Sequence, residues 1–293
     1  MTYHTPVLLK EVVAQLRPSR GGLYVDCTVG GGGHAEEILR ACGPEGRLIG
    51  LDVDPDAIAA SRERLREWKE RVHLLCANFV ELDVVLTSAA IARVDGILFD
   101  LGVSSHQLDE PSRGFSFLRD GPLDMRMNRQ IGATARDVLR SASLEELARV
   151  FFEYGGERRA RAIAREIVRA REYAPLETTA QLARLVGRVL GPRRGRTHPA
   201  TRVFQALRIA VNDEMANLKR GLEIAVPFLK PGGRVAVISF HSLEDRIVKR
   251  FFLQKKAEGI LRVVTKRPVT PAEEEARLNP RARSAKLRVA ERL

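Results

Sequence analysis

The chain is poor in sulfur and aromatic side chains: three cysteines, four methionines, one tryptophan and four tyrosines in 293 residues. Cys27, Cys42 and Cys76 show no metal-ligand spacing, and an odd number argues against a disulfide framework; a reduced, cytoplasmic protein with no bound metal is expected. No apolar run approaches the roughly 18 residues of a membrane span. The first residues lack a basic stretch followed by an apolar one, so no secretory signal is read there. No Lys-Ser/Thr follows the one glycine run, which removes the phosphate loop of nucleoside triphosphatases. No His-x-Glu is paired with a Cys-x-x-Cys, which removes zinc-dependent deamination. Lysine is also scarce, 9 against 40 arginines.

Arginine accounts for the net charge of +12, which is unevenly spread. Residues 1–110 hold 11 basic and 17 acidic side chains, whereas 155–210 hold 13 and 4, and 246–293 hold 14 and 5. A basic excess confined to two regions suits a polyanion, since neutralised phosphates release counterions; the alternative is a set of solvated helices in an arginine-biased chain. Hydrophobic residues make up 44%, enough for a packed core.

The first hundred residues alternate strand and helix patterns. Strands are expected at Leu23–Thr28, Arg47–Asp52, Val72–Cys76 and Val94–Phe99, with helices at about 33–42, 55–70 and 79–91. Such alternation means a parallel sheet covered by helices. From about 106 to 225 only helices are read: 143–153, opened by the capping box Ser143…Glu146, then 157–172, 178–190 and 199–225. After the turn at Pro231-Gly-Gly233 an apolar strand returns at Arg234–Ser239, and β-like runs at Ile260–Lys266 and Lys286–Glu291 suit a closing hairpin. The expected organisation is a discontinuous α/β domain, 1–105 and 226–293, interrupted after its fourth strand by a helical domain, 106–225.

The first strand runs into Gly30-Gly-Gly-Gly33, and Asp52 ends the second strand about 20 residues later, the spacing of a dinucleotide-type unit in which the acid takes ribose hydroxyls. NAD(P) and S-adenosylmethionine both suit this pattern. The acid-x-x-x-Gly-x-Gly spacing from Asp26 leans toward the second. At the end of the fourth strand stands Asp100-Leu-Gly-Val-Ser-Ser105, on the edge where open α/β sheets bind ligands. The exocyclic amine of cytosine or adenine is a weak nucleophile, so acceptors that orient its N–H groups assist methyl transfer. Asp100 and Ser105 are the candidate catalytic residues, with Ser104, Asp109 and Asp124 as further partners for the amine. A turn or cap role is the structural alternative for Asp100 and, singly, for each of the others. Carbon-5 methylation of a pyrimidine needs a cysteine nucleophile, and neither Asp100-Leu-Gly102 nor Ser239-Phe-His241 supplies one.

Long blocks carry a more specific signal. Thr5-Pro-Val-Leu-Leu-Lys-Glu11, Gly30–His34, Asp100–Gln107, Arg113–Met127, His198–Arg208, Ser239–Arg246 and Asn279–Ser284 together resemble the RsmH (MraW) family, in order and over nearly the whole chain. The resemblance implies a Rossmann-like class I methyltransferase sheet with the inserted helical domain. It implies S-adenosylmethionine as cofactor and the N4 amine of a cytidine in the decoding region of 16S ribosomal RNA, or of the small ribosomal subunit, as substrate. It carries cofactor contacts onto Gly32, Gly33, His34, Asp52, Phe79, Asp100 and Gln107, with Phe79 covering the adenine. On the substrate side, Phe115 and Phe117 are candidates to stack on the base and Arg113, Arg119 and Arg126 to meet phosphates. Arg158, Arg159, Arg161, Arg165, Arg169, Arg171, Arg193, Arg194 and Arg196 are candidates to grip RNA. His241 is a candidate at the same sheet edge, with a structural role as its alternative. Two other classes remain: an RNA-binding assembly factor with a vestigial pocket, and an NAD(P)-dependent oxidoreductase, against which the lack of a Tyr-x-x-x-Lys after the fourth strand counts.

Overall fold

The structure is a computed structural model, and it describes residues 6–191 and 198–293. In chain order the first elements are α1 (Leu9–Leu16), β1 (Leu23–Asp26), α2 (Gly33–Ala41), β2 (Arg47–Asp52), α3 (Pro55–Arg64), β3 (Val72–Cys76), α4 (Leu82–Ser88) and β4 (Val94–Asp100). Helices α5 (Ser105–Asp109), α6 (Ala135–Ser141), α7 (Leu144–Glu153), α8 (Ala160–Tyr173), α9 (Thr179–Leu190) and α10 (Thr201–Val211) follow. The chain then forms α11 (Glu214–Ala225), β5 (Leu229–Ser239), α12 (Ser242–Ala257), β6 (Leu261–Val263), α13 (Glu273–Leu278) and β7 (Lys286–Arg292). Two compact units result: the chain up to Gly102 together with Met215–Leu293, and Val103–Glu214.

The first unit is built on one seven-stranded sheet in the order β3-β2-β1-β4-β5-β7-β6. Strands β1 to β5 pair in parallel, whereas β7 runs antiparallel between β5 and β6. The central strands are buried on both faces, as parallel strands under helices must be, and so read as apolar runs such as Gly96-Ile-Leu-Phe99. One core lies against Ile97, Phe99, Val235 and Val237; the other holds Leu48, Leu98, Ala236 and Ile238 with Val12 and Leu16 of α1 and Ile38 of α2. Leu218, Leu222 and Ala225 of α11 belong to the first of these cores. The interruption therefore ends at Glu214 rather than at 225. The expected single helix over 199–225 is two, parted where Asp213 takes φ +48°.

The second unit is helical, around a core of Leu147, Phe151, Ile163, Ile167, Leu182, Leu185, Val203 and Leu207. Capping boxes start α6 at Thr134, α7 at Ser143 and α9 at Thr178, each side chain accepting from the N–H three residues on.

Candidate active site

In the first unit the carboxyl ends of β1, β2 and β4 carry Asp26, Asp52 and Asp100. The chain leaves β1 through the glycine run. Gly32 is the N-cap of α2 with φ +77°, a conformation that costs most L-residues but not glycine, and it supplies no side-chain cap to the first-turn amides. Gly33 admits a close neighbour: a Cβ there would lie 2.9 Å from Pro6 Cγ. The segment before α1 thus lies directly against the loop, held by a bond from the Leu8 N–H to Glu275 Oε1 of α13.

Asp52 ties the loop to the sheet. Its Oδ2 accepts from the Gly30 N–H at 2.9 Å and its Oδ1 from the Asp54 N–H at 2.9 Å. Burial pushes its pKa up to about 6 against those bonds, with Asp54 adding to the rise. Asp26 is 1% exposed; burial first and the charge of Asp52 second push it up to about 7 against the Thr28 N–H bond at 3.1 Å. Asp100 stands well above the usual carboxylate range, through burial first and the neighbouring Asp26 and Glu244 second. Its N–H donates to Thr28 Oγ1 at 2.6 Å, its Oδ2 lies 3.5 Å from His34 Nδ1, and its Oδ1 is buried without a hydrogen-bond partner among the described residues. Three carboxyls crowded at one edge suit a cationic ligand with hydroxyls to donate, and an unsatisfied buried oxygen suits a ligand N–H. Adenosylmethionine carries a sulfonium, an ammonium and two ribose hydroxyls, so the residues present fit it.

The structure thus gathers Gly32, Gly33, His34, Asp52 and Asp100 around one edge. Phe79, just after β3, meets Phe99 edge-on at 5.4 Å, and a Cβ at Gly221 would lie 2.5 Å from its Cδ2, so part of the ring is spent on packing. Gln107 and Ser105 lie in α5 of the other unit, where the Gln107 Oε1 accepts from the Ser104 N–H and closes a capping box. His241 N-caps α12 through its Nδ1, and Glu244 accepts from the Phe240 N–H at 2.7 Å; His241 takes the structural alternative. Asp26 and Glu244 act on the Asp100 carboxyl and Thr28 accepts from its N–H, although none of the three was among the candidate site residues. Only Asp26 had a sequence signal, its spacing to the glycines.

Several substrate candidates turn out to hold the helical unit together. Arg113 is 1% exposed and donates to the carbonyls of Arg126 and Met127; it is not available to a phosphate. Arg126 is in a two-pronged pair with Asp124, which occupies both. Arg119 donates to the Asp109 carbonyl. Phe115 is buried, and Phe117 packs against His198 at 4.7 Å and Phe204 at 4.8 Å. Arg171 closes the end of α6 through the carbonyls of Leu139 and Ala142. By contrast Arg161, Arg165 and Arg169, spaced four apart along α8, are exposed opposite buried Ile163, Ala164 and Ile167, as are Arg158 and Arg159 before it. Arg193, Arg194 and Arg196 lie outside the described residues.

A parallel sheet in this order with one antiparallel strand set in between β5 and β6, a glycine loop after β1 and acids ending β1, β2 and β4 define a Rossmann-like α/β protein with an adenosine-type cofactor edge. Residues 1–293 match the model of the MraW methylase family, and the chain belongs to that family, whose methyl donor is S-adenosylmethionine. It is 51% identical to the ribosomal RNA small subunit methyltransferase H of Geobacter sulfurreducens, with 100% of both chains covered. It is 50% identical to the protein of the same name from Thermomicrobium roseum, covering 100% of this chain and 94% of that relative. To that of Trichlorobacter lovleyi it is 51% identical over 99% of this chain and 98% of the relative. Among the described residues no helix is long and apolar enough to cross a membrane.

Proposed function

We propose that the protein transfers the methyl group of S-adenosylmethionine to the N4 amine of a cytidine in the decoding region of bacterial small-subunit ribosomal RNA, in the cytoplasm. The observation that carries the amine chemistry is Asp100, at the end of β4, with one buried oxygen that has no partner among the described residues. An amine N–H bonded there keeps its lone pair turned toward the methyl group as the C–N bond forms. The curated relatives, named for methylation of small-subunit ribosomal RNA, supply the class of substrate. The thiols favour nitrogen over carbon as the acceptor: Cys27 is buried, and burial raises the pKa of Cys27, Cys42 and Cys76, which disfavours the thiolate that ring addition needs.

In this reading the first unit holds the cofactor. Gly33 and His34 contribute backbone amides, and Gly32, whose own N–H is bonded to the Val29 carbonyl, lines the loop without a side chain. Asp52 accepts from the ribose hydroxyls, Phe79 borders the adenine, and Asp100 receives the amine. Gln107 is a further cofactor contact that the family resemblance implies, and Ser105 is a further candidate partner for the amine. Val103–Glu214 recognises RNA through the arginine row of α8, with Arg193, Arg194 and Arg196 as further phosphate partners. The test uses methyl-tritiated adenosylmethionine and ribosomal subunits from a strain lacking the modification. Label in small-subunit RNA is expected; label confined to large-subunit RNA, or no label, refutes the reading.

A further inference from the structure

His34 occupies the first turn of α2 with its two ring nitrogens facing different partners. Nε2 lies 2.9 Å from the Val7 carbonyl oxygen and Nδ1 lies 3.5 Å from Asp100 Oδ2. A carbonyl only accepts, so Nε2 carries its hydrogen in either charge state of the ring. Nδ1 then confronts a carboxyl oxygen, and two lone pairs in that position repel. One proton belongs between them, either on the Asp100 carboxyl or on an imidazolium beside a carboxylate. Asp100 is held on another side by the bond from its own N–H to Thr28 Oγ1, and Asp26 of β1 and Glu244 of α12 are the other titratable groups acting on it.

We propose that the His34 ring is a positioning residue: it engages Asp100 through Oδ2, shares one proton with it, and so leaves Oδ1 as the oxygen offered to the amine that accepts the methyl group. This rests on the reading of the protein as an amine methyltransferase. The amine lone pair forms the C–N bond while the C–S bond breaks, and its electrons leave with sulfur as a neutral thioether. The nitrogen then bears a positive charge and a surplus proton. That proton passes to Asp100 Oδ1 as the proton on Oδ2 moves to His34 Nδ1, leaving a neutral carboxyl, an imidazolium and a neutral methylamine. Charge thus develops on the ring rather than on a carboxylate hemmed in by Asp26 and Glu244.

Two variants separate this role from a tether of the segment before α1. In His34→Asn the amide reaches the place of Nδ1 and keeps the Asp100 contact; in His34→Gln it reaches the place of Nε2 and keeps the Val7 contact. Neither amide can take the proton, so both variants are expected to lose kcat with a smaller change in KM for adenosylmethionine: His34→Asn about a hundredfold, and His34→Gln, which also gives up the Asp100 contact, about tenfold more. The opposite ranking overturns the proposal. Nitrogen-15 NMR of histidine-labelled protein supplies a readout that needs no RNA. His34 Nδ1 is expected to gain a proton as pH falls in the parent and to stay unprotonated in Asp100→Asn. An unchanged Nδ1 titration in Asp100→Asn also overturns it. If the NMR follows expectation and the parent methylates no RNA, it is the substrate reading that fails.

Discussion

Asp26→Asn should stabilise the unliganded protein at alkaline pH and leave it unchanged at acid pH. Asp26 is 1% exposed, and its carboxyl is displaced from the usual 3.8 to about 7, mainly by burial. A folded state that favours the neutral acid is at full stability below the unfolded pKa and loses that contribution as pH rises through the folded one. At ~1.4 kcal/mol per pH unit, the interval from 3.8 to about 7 corresponds to about 4 kcal/mol at most. About half of this falls above pH 5.5. The asparagine oxygen can keep the Thr28 N–H bond that Asp26 accepts at 3.1 Å, so the substitution removes charge with little change of shape. Urea denaturation of the unliganded parent and variant from pH 5 to pH 9 measures the difference. The variant should already be more stable by about 1.7 kcal/mol at pH 5 and gain about 2 kcal/mol more by pH 7.5, the two converging only below about pH 4. Asp52, raised to about 6, titrates in both proteins; because it and Asp26 repel, its own burden is eased in the variant, which adds to the separation at alkaline pH. Parallel curves, or a variant less stable at every pH, would refute the reasoning. Adenosylmethionine affinity should fall in the same variant, because an acid that costs stability at this edge attracts a cation there.

Other substitutions probe the loop, the helical unit and the arginine face. Gly33→Ala places a methyl group 2.9 Å from Pro6 Cγ and should weaken cofactor binding while costing about 1–3 kcal/mol, read by calorimetry and thermal melting. Asp52→Ala removes the acceptor for Gly30 and Asp54 as well as for the ribose, so adenosylmethionine affinity should drop about tenfold or more, with some loss of stability. Arg113→Ala strands the Arg126 and Met127 carbonyls and opens a cavity; it should destabilise the helical unit by about 3 kcal/mol, whether or not RNA is present. Changing Arg161, Arg165 and Arg169 together to serine should leave the melting temperature nearly unaltered while the salt dependence of RNA binding becomes shallower by about 0.7 to 0.9 per lost phosphate contact. An unaltered slope moves the RNA face elsewhere.

The sheet was legible because its signal is local and redundant. Arg47–Asp52 and Val72–Cys76 appear at the expected residues, and the pair expected to close the sheet does so as β6 and β7, with β7 threaded in beside β5. Helix α12 had no prior signal: His241 is an uncommon cap, and the apolar positions Val248, Phe251 and Phe252 do not announce a helix by themselves. The break before α11 was equally hidden. It depends on Asn212, whose side chain serves the Met125 carbonyl and the Met127 N–H from far along the chain. At the site, the motif residues Asp52 and Asp100 were readable because strand ends and glycine spacing are sequence features. The helical unit misled where residue type stood in for environment. Arginine reads as exposed and phosphate-seeking, yet Arg113 is buried by a loop that folds back on it, a contact no local pattern encodes. Ser104-x-x-Gln107 did hold the signature of a capping box, the role its side chains play.

The most direct test of the account is the chemical identity of the product. Small-subunit RNA, methylated by this protein with adenosylmethionine carrying a deuterated methyl group, is digested to nucleosides and analysed by mass spectrometry against standards. The account predicts the label in N4-methylcytidine, formed by the parent and lost in Asp100→Ala. Label in 5-methylcytidine, in a methylated adenosine or in a ribose methyl group would contradict it.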